Sequence, residues 1–202
     1  MKKIVAFTLI TLLAVQAEAQ GDSHVVKWKD GGAKGCPKVY LGISGGVNNF
    51  CGITGISLDV PVGESVSMEG GVGISTWGTK LGIGAKYYFG PCHTGWALGA
   101  GFTHNTGLGA FNDNMGTIYG NEDVTLDLKP QTNMYVAGYR YWPVGKKGNR
   151  MFITAGWSFR LSSELYTESY GDPLSSVGDR VLNIIAPGGL MFGGGFAFGL
   201  GR

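Results

Sequence analysis

The sequence predicts an all-β fold, an eight-stranded antiparallel up-and-down transmembrane β-barrel, and three observations carry that expectation. Apolar residues alternate with small or polar ones at a period of two through eight segments, each close to the roughly 9–11 residues that a tilted strand needs to cross a bilayer. Glycine makes up 37 of the 202 residues, well above its usual share of about 7%. It is scattered through those segments with no triplet period, which excludes collagen and suggests tight backbone packing or strong sheet curvature. The connections between segments are short at one end, and both long ones fall at the other, the arrangement of bilayer-spanning barrels.

At the N-terminus, Lys2 and Lys3 precede the apolar run 4–15, and Ala17-Glu18-Ala19 supplies small residues before Gln20. This is the pattern of a cleavable secretory signal peptide, residues 1–19. Its removal lowers the formal net charge from +2 to about +1, leaving no basic excess for nucleic acid. Residues 20–37 read as a short periplasmic arm and 38–202 as the barrel. No later run approaches the ~18 consecutive apolar residues of a transmembrane helix.

The expected strands are 38–47, 51–60, 65–76, 79–89, 95–104, 131–142, 150–160 and 189–200. The third and fourth are read as a hairpin around Trp77-Gly78, which sets Ile74 opposite Leu81, Val72 opposite Ile83 and Glu69 opposite Lys86. One face is then apolar, and the other is glycine with an opposite-charge pair. A type I′ turn at Asn48-Asn49 joins the first two strands, setting Val39 against Leu58 and Leu41 against Ile56. In the last strand Leu190, Phe192, Phe196, Phe198 and Leu200 share a face, with Gly193, Gly195, Ala197 and Gly199 behind them. Short turns are expected near 61–64, 90–94 and 143–149, and long external loops at 105–130 and 161–188.

For a membrane barrel the apolar face points to lipid and the glycine and charged face into the lumen; a soluble ligand carrier would reverse this. The orientation of Ile83 and Lys86 separates the two. Parity places Glu69, Lys86, Arg140 and Arg160 in the lumen as an ion-pair network, with Asp59 toward the periplasmic end. An interior of eight strands is just wide enough for side chains to fill, so structural plugging is favoured over a conducting path. Two aromatic girdles are expected, one including Tyr87, Phe89, Trp96, Tyr139 and Tyr141, the other Phe50, Trp77, Phe102, Tyr135, Trp157 and Phe159.

Cys36, Cys51 and Cys92 remain after processing, and in an oxidising compartment one disulfide and one free thiol is the simplest arithmetic. Cys36 and Cys92 fall at the same end and are the expected pair. His24, His93 and His104 are widely spaced and form no metal signature. The run Gly71–Gly78 lacks the ending and the following helix of a phosphate loop. No cofactor, metal or catalytic residue is expected.

This pattern resembles the small eight-stranded outer-membrane barrels, the OmpA/OmpX-like outer membrane protein β-barrel domains, across nearly the whole mature chain. The stretch Gly193–Phe198 (GGGFAF) is similar to the terminal barrel-assembly signal, although the chain continues to Gly201-Arg202. The resemblance implies a non-catalytic outer-membrane protein of Gram-negative cells with a structural or surface-interaction role, working as a monomer. Its implied partners are membrane lipid, lipopolysaccharide, the barrel-assembly machinery and an extracellular partner reached by loops 105–130 and 161–188. A narrow porin-like barrel is the alternative. A third reading comes from Phe102-x-His104-x-Thr106, which looks like the Phe-x-His-x-Ser pattern of lipid A deacylases, but with threonine for serine and no evident orienting acid.

Overall fold

The computed structural model describes residues 35–116, 121–145, 147–170 and 175–201. The expected leader at 1–19 and the expected arm as far as residue 34 lie outside the described residues. In chain order the strands are β1 (Val39–Val47), β2 (Thr54–Pro61), β3 (Val66–Ser75), β4 (Gly78–Tyr88), β5 (Gly95–Asn105), β6 (Leu108–Gly116), β7 (Asn121–Leu128), β8 (Gln131–Val144), β9 (Asn149–Arg160), β10 (Tyr166–Tyr170) and β11 (Gly189–Leu200). Among the described residues one α-helix, α1 (Ser176–Ile185), lies between β10 and β11.

Strands β1 to β5, β8, β9 and β11 form a closed, all-antiparallel eight-stranded barrel, sealed by β1 pairing with β11 from Val39↔Leu200 to Val47↔Phe192. These are the eight segments read from the alternation. Closure leaves no unpaired strand edge. The faces sort as expected on β4: Ile83 is 60% exposed on the outside, whereas Lys86 is 3% exposed inside. The near end of the barrel bears the short turns after β2, β4 and β8, and residue 35.

Two hairpin registers differ from expectation by two residues. Ser75 faces Gly78 and Val72 faces Leu81, so Thr76 and Trp77 form the turn and Glu69 lies opposite Gly84. The cause is Trp77, which is fully buried and donates its indole N–H to Lys129 O at 2.9 Å. Gly78 takes up the left-handed backbone, with φ +90°. Between β1 and β2 the expected two-residue turn is replaced by the link 48–53, so that Leu41 faces Leu58 and Ile43 faces Ile56. Phe50 and Cys51 in that link are apolar and drop into the lumen, where both are buried. A slip of two preserves side-chain parity, so no residue of β1 to β4 changed face, while Phe50, Cys51 and Trp77 in the turns themselves went to the interior.

The long connections are folded rather than simple loops. Strands β6, β7 and β10 form a separate sheet in the order β10-β7-β6. With α1 this sheet makes a far-end cap around Trp77, Leu126, Leu128, Leu165, Leu182 and Ala186. Ser175 caps α1 by accepting a hydrogen bond from Gly178 N at 3.2 Å. Pro187 follows Ala186, where the helix has stopped. Gly178 and Leu182 face the cap, while Val177, Val181, Ile184 and Ile185 are exposed. Among the described residues, no helix is long and apolar enough to cross a membrane.

Candidate functional site

The barrel interior is filled in layers. At the near end, the turn Pro91–His93 is tied to Cys36 by the Cys36–Cys92 disulfide, the pair expected from the sequence. Cys92 and His93 adopt positive φ, at 50° and 56°, which points their backbone at the lumen. Tyr40 Oη donates to Cys92 O at 2.8 Å, Arg150 Nη1 donates to His93 O, and His93 Nε2–H donates to Gly63 O at 3.0 Å. Burial holds the His93 imidazole below its usual 6.5.

The next layer is a balanced quartet of two carboxylates and two cations. Asp59 Oδ2 accepts from Arg150 Nη2 at 2.6 Å and from Tyr88 Oη at 2.6 Å, and lies 3.5 Å from Lys86 Nζ. Lys86 Nζ pairs with Glu69 Oε1 at 2.5 Å and donates to Tyr141 Oη at 3.0 Å. Aromatic faces complete the shell: the Arg150 guanidinium lies 3.6 Å from the Tyr40 centroid and 4.3 Å from that of Tyr141. Lys86 Nζ sits 4.6 Å from the Tyr139 centroid. The free space beside the quartet is about 10 Å³, about one water's worth. Buried charges of this kind require pairing, and here the four charges cancel.

Above the quartet the Phe50 ring meets Tyr135 edge-on, at 5.6 Å between centroids. Glycine makes the seat possible. A Cβ on Gly71 would stand 2.7 Å from Phe50 Cε1, and one on Gly82 would stand 2.5 Å from Phe50 Cε2. The inward glycines of β3 and β4 therefore supply room for rings carried by other elements.

At the far end the interior opens into a cavity of about 490 Å³ between the barrel mouth and α1. Lys80 and Asn105 line it from the barrel wall, Val47 from the end of β1, Ile53 from the β1–β2 link, and Ile184 and Ile185 from α1. Asn48 Nδ2 donates to Gly188 O at 2.6 Å and Thr76 Oγ1 donates to Ile185 O at 3.3 Å, holding the end of α1 over this space.

Of the expected lumen residues, Glu69 and Lys86 meet in the quartet. Arg140 does not: it points outward, with its guanidinium 5.3 Å from the Trp96 ring and 5.8 Å from Trp142. Reading charge as the inward marker inverted β8, where Tyr135, Tyr139 and Tyr141 are the buried set. Tyrosine is amphipathic and serves a polar lumen as readily as a membrane rim. Arg160 has inward parity but sits at the far rim, donating from Nε to Pro187 O at 3.1 Å, remote from Glu69. Arg150 takes the place expected of these two arginines. Its signal was its position as the second residue of β9, inward by parity with Phe152 and Thr154. Phe50, Trp77, Tyr135, Tyr139 and Tyr141, expected at the girdles, are all interior.

His104 is exposed on β5 and its Nδ1 lies 3.0 Å from Thr132 Oγ1 on β8. Thr106 instead accepts from Thr79 N at 3.1 Å. Among the described residues no group of three or more histidine, cysteine or acidic side chains is placed to hold a metal. Comparison with protein-family models, curated proteins and solved structures finds no match to this chain.

Proposed function

We propose that this chain is an integral outer-membrane β-barrel protein with a structural or surface-interaction role, akin to the OmpA/OmpX-like barrels, that neither conducts nor catalyses. One observation carries the reading: the barrel is turned inside out relative to a soluble one. Leu41, Ile56, Val72, Ile83, Val136 and Ile153, from six strands, are all at least 40% exposed, while Asp59, Glu69, Lys86 and Arg150 are buried. In water, such a continuous apolar belt far exceeds the few hundred Å² of patch that soluble monomers carry. In a bilayer it is the lipid-facing surface. A second support comes from the aromatics that do face outward. Tyr87, Phe89 and Trp96 lie toward the near end, and Phe102, Trp157 and Phe159 toward the far end, where headgroups would meet them.

The filled lumen favours a closed barrel over the porin-like alternative. The pairing of His104 with a threonine, with no orienting acid beside it among the described residues, favours a rim histidine over a deacylase centre. The cap formed by β6, β7, β10 and α1 is the surface through which an external partner or lipopolysaccharide would be met.

Reconstitution tests the reading. The protein should insert into phospholipid vesicles, resist extraction by alkaline carbonate and produce no conductance steps in a planar bilayer. Protein that remains soluble without detergent would overturn the membrane assignment, and reproducible channel steps would overturn the closed barrel.

A further inference from the structure

We propose that the cavity between the barrel's outer mouth and α1 is a binding site for an anionic amphiphile. Lys80 would hold the acidic head, and the apolar tail would lie between Ile53, Ile184 and Ile185. The inference goes beyond the membrane assignment and does not depend on it.

Three features carry it. The first is charge. Lys80 is 2% exposed, yet among the described residues its Nζ has one protein acceptor, Asn48 O at 3.2 Å, and forms no ion pair. An ammonium carries three donors, and a buried charge without a partner is costly. The two other buried cations, Lys86 and Arg150, are matched by Asp59 and Glu69. Among the described residues Lys80 is the one left over, and it lines the cavity.

The second feature is shape. At about 490 Å³ the space lies within the roughly 300–1,000 Å³ of small-molecule sites. The third is the direction in which its polarity changes. Lys80 and Asn105 are buried, whereas the apolar wall runs outward through Ile53, Val47 and Ile184, which are 55%, 68% and 79% exposed. The outer row of α1, through Val181 and Val177, continues that apolar surface. One cation at the closed end and a hydrocarbon-lined exit match a molecule with one acidic head and one tail. A free fatty acid and a lipid phosphate monoester share that chemistry.

The test is equilibrium binding to folded protein in a bulky nonionic detergent, with dodecanoate, dodecyl phosphate and dodecanol as probes. At least one anion should bind saturably and at least tenfold more tightly than the alcohol. Preference for dodecanoate would identify a fatty acid ligand, and preference for the phosphate a lipid headgroup. K80M should remove the preference for anions while leaving dodecanol unchanged, and K80R should keep it. Because K80M removes an unpaired buried charge, it should also raise the urea midpoint of ligand-free protein, which separates lost binding from misfolding. Equal binding of alcohol and anions, no saturable binding, or a K80M variant that keeps the preference would each overturn the proposal. Protein that inserts into vesicles but binds no probe refutes this site alone; protein that binds but does not insert refutes the membrane assignment alone.

Discussion

Replacing Phe50 with alanine tests whether the lumen is built as glycine seats for inserted rings. The ring is 3% exposed, and its void would be bounded by strand backbone at Gly71 and Gly82. Core Phe→Ala changes cost about 3–5 kcal/mol, more where the site cannot collapse. Strand ladders hold β3 and β4 in place on both sides, so the upper half of that range is expected. Gly82→Ala attacks the same contact from the other side. Its Cβ would stand 2.5 Å from Phe50 Cε2 and 2.7 Å from Phe50 Cζ, well inside contact distance, for an overpacking cost of about 1–3 kcal/mol. With Phe50 already alanine, the new methyl has room. The double variant should therefore be more stable than the sum of the singles predicts, by about 1–3 kcal/mol of coupling. Reversible urea unfolding of the four reconstituted proteins, followed by tryptophan fluorescence, measures the cycle. A Gly82→Ala cost that is the same with and without the Phe50 ring would refute the reasoning.

Asp59→Ala should cost about 3–5 kcal/mol by stranding Arg150 in the lumen while Lys86 keeps Glu69, and Asp59→Ala with Arg150→Met should cost less than the sum; urea titrations of the three variants measure both. The Cys36–Cys92 bond spans 56 residues, so Cys36→Ser should lose about 4 kcal/mol by the chain-entropy argument, read as a lower unfolding midpoint that added reductant does not lower further. His93 sets a pH dependence. Its folded pKa lies below the unfolded 6.5, so the unfolded chain binds the proton first. Stability is full above that value and declines as the pH falls from about 6.5 through the folded pKa. Unfolding midpoints across pH 8 to 5 should show the decline in the wild type and a smaller one in His93→Gln.

The barrel was legible because period two survives small errors. Both hairpins were misplaced by two residues, at Trp77 and at Phe50, yet every residue on β1 to β4 stayed on its face. The reading of β8 failed for a different reason. Tyr139 and Tyr141 resemble rim aromatics in composition, and only the quartet that they solvate reveals them as lumen residues. Arg150 was overlooked because it follows Lys147 closely and reads as part of a basic turn, although its parity with Phe152 was visible. The cap was hidden in plain alternation: Leu126 and Leu128 are buried while Asp127 is exposed, the same pattern as in the barrel, over a stretch too short to stand out between polar neighbours. The Lys80 cavity left no trace in the sequence, because it exists only where α1 meets the β1–β2 link.

The central claim is that the outer face of the barrel meets lipid while its charges are sequestered inside. A nitroxide scan along β4, from Thr79 to Tyr87 in vesicles, tests it most directly, using protein with Cys51→Ala and an intact Cys36–Cys92 bond. Collisions with oxygen dissolved in the bilayer should alternate with a period of two, high at odd positions and greatest near Ile83. A water-soluble nickel reagent should find none of the odd positions between Leu81 and Ala85. Ready access of that reagent to position 83, or the loss of alternation, would contradict the account.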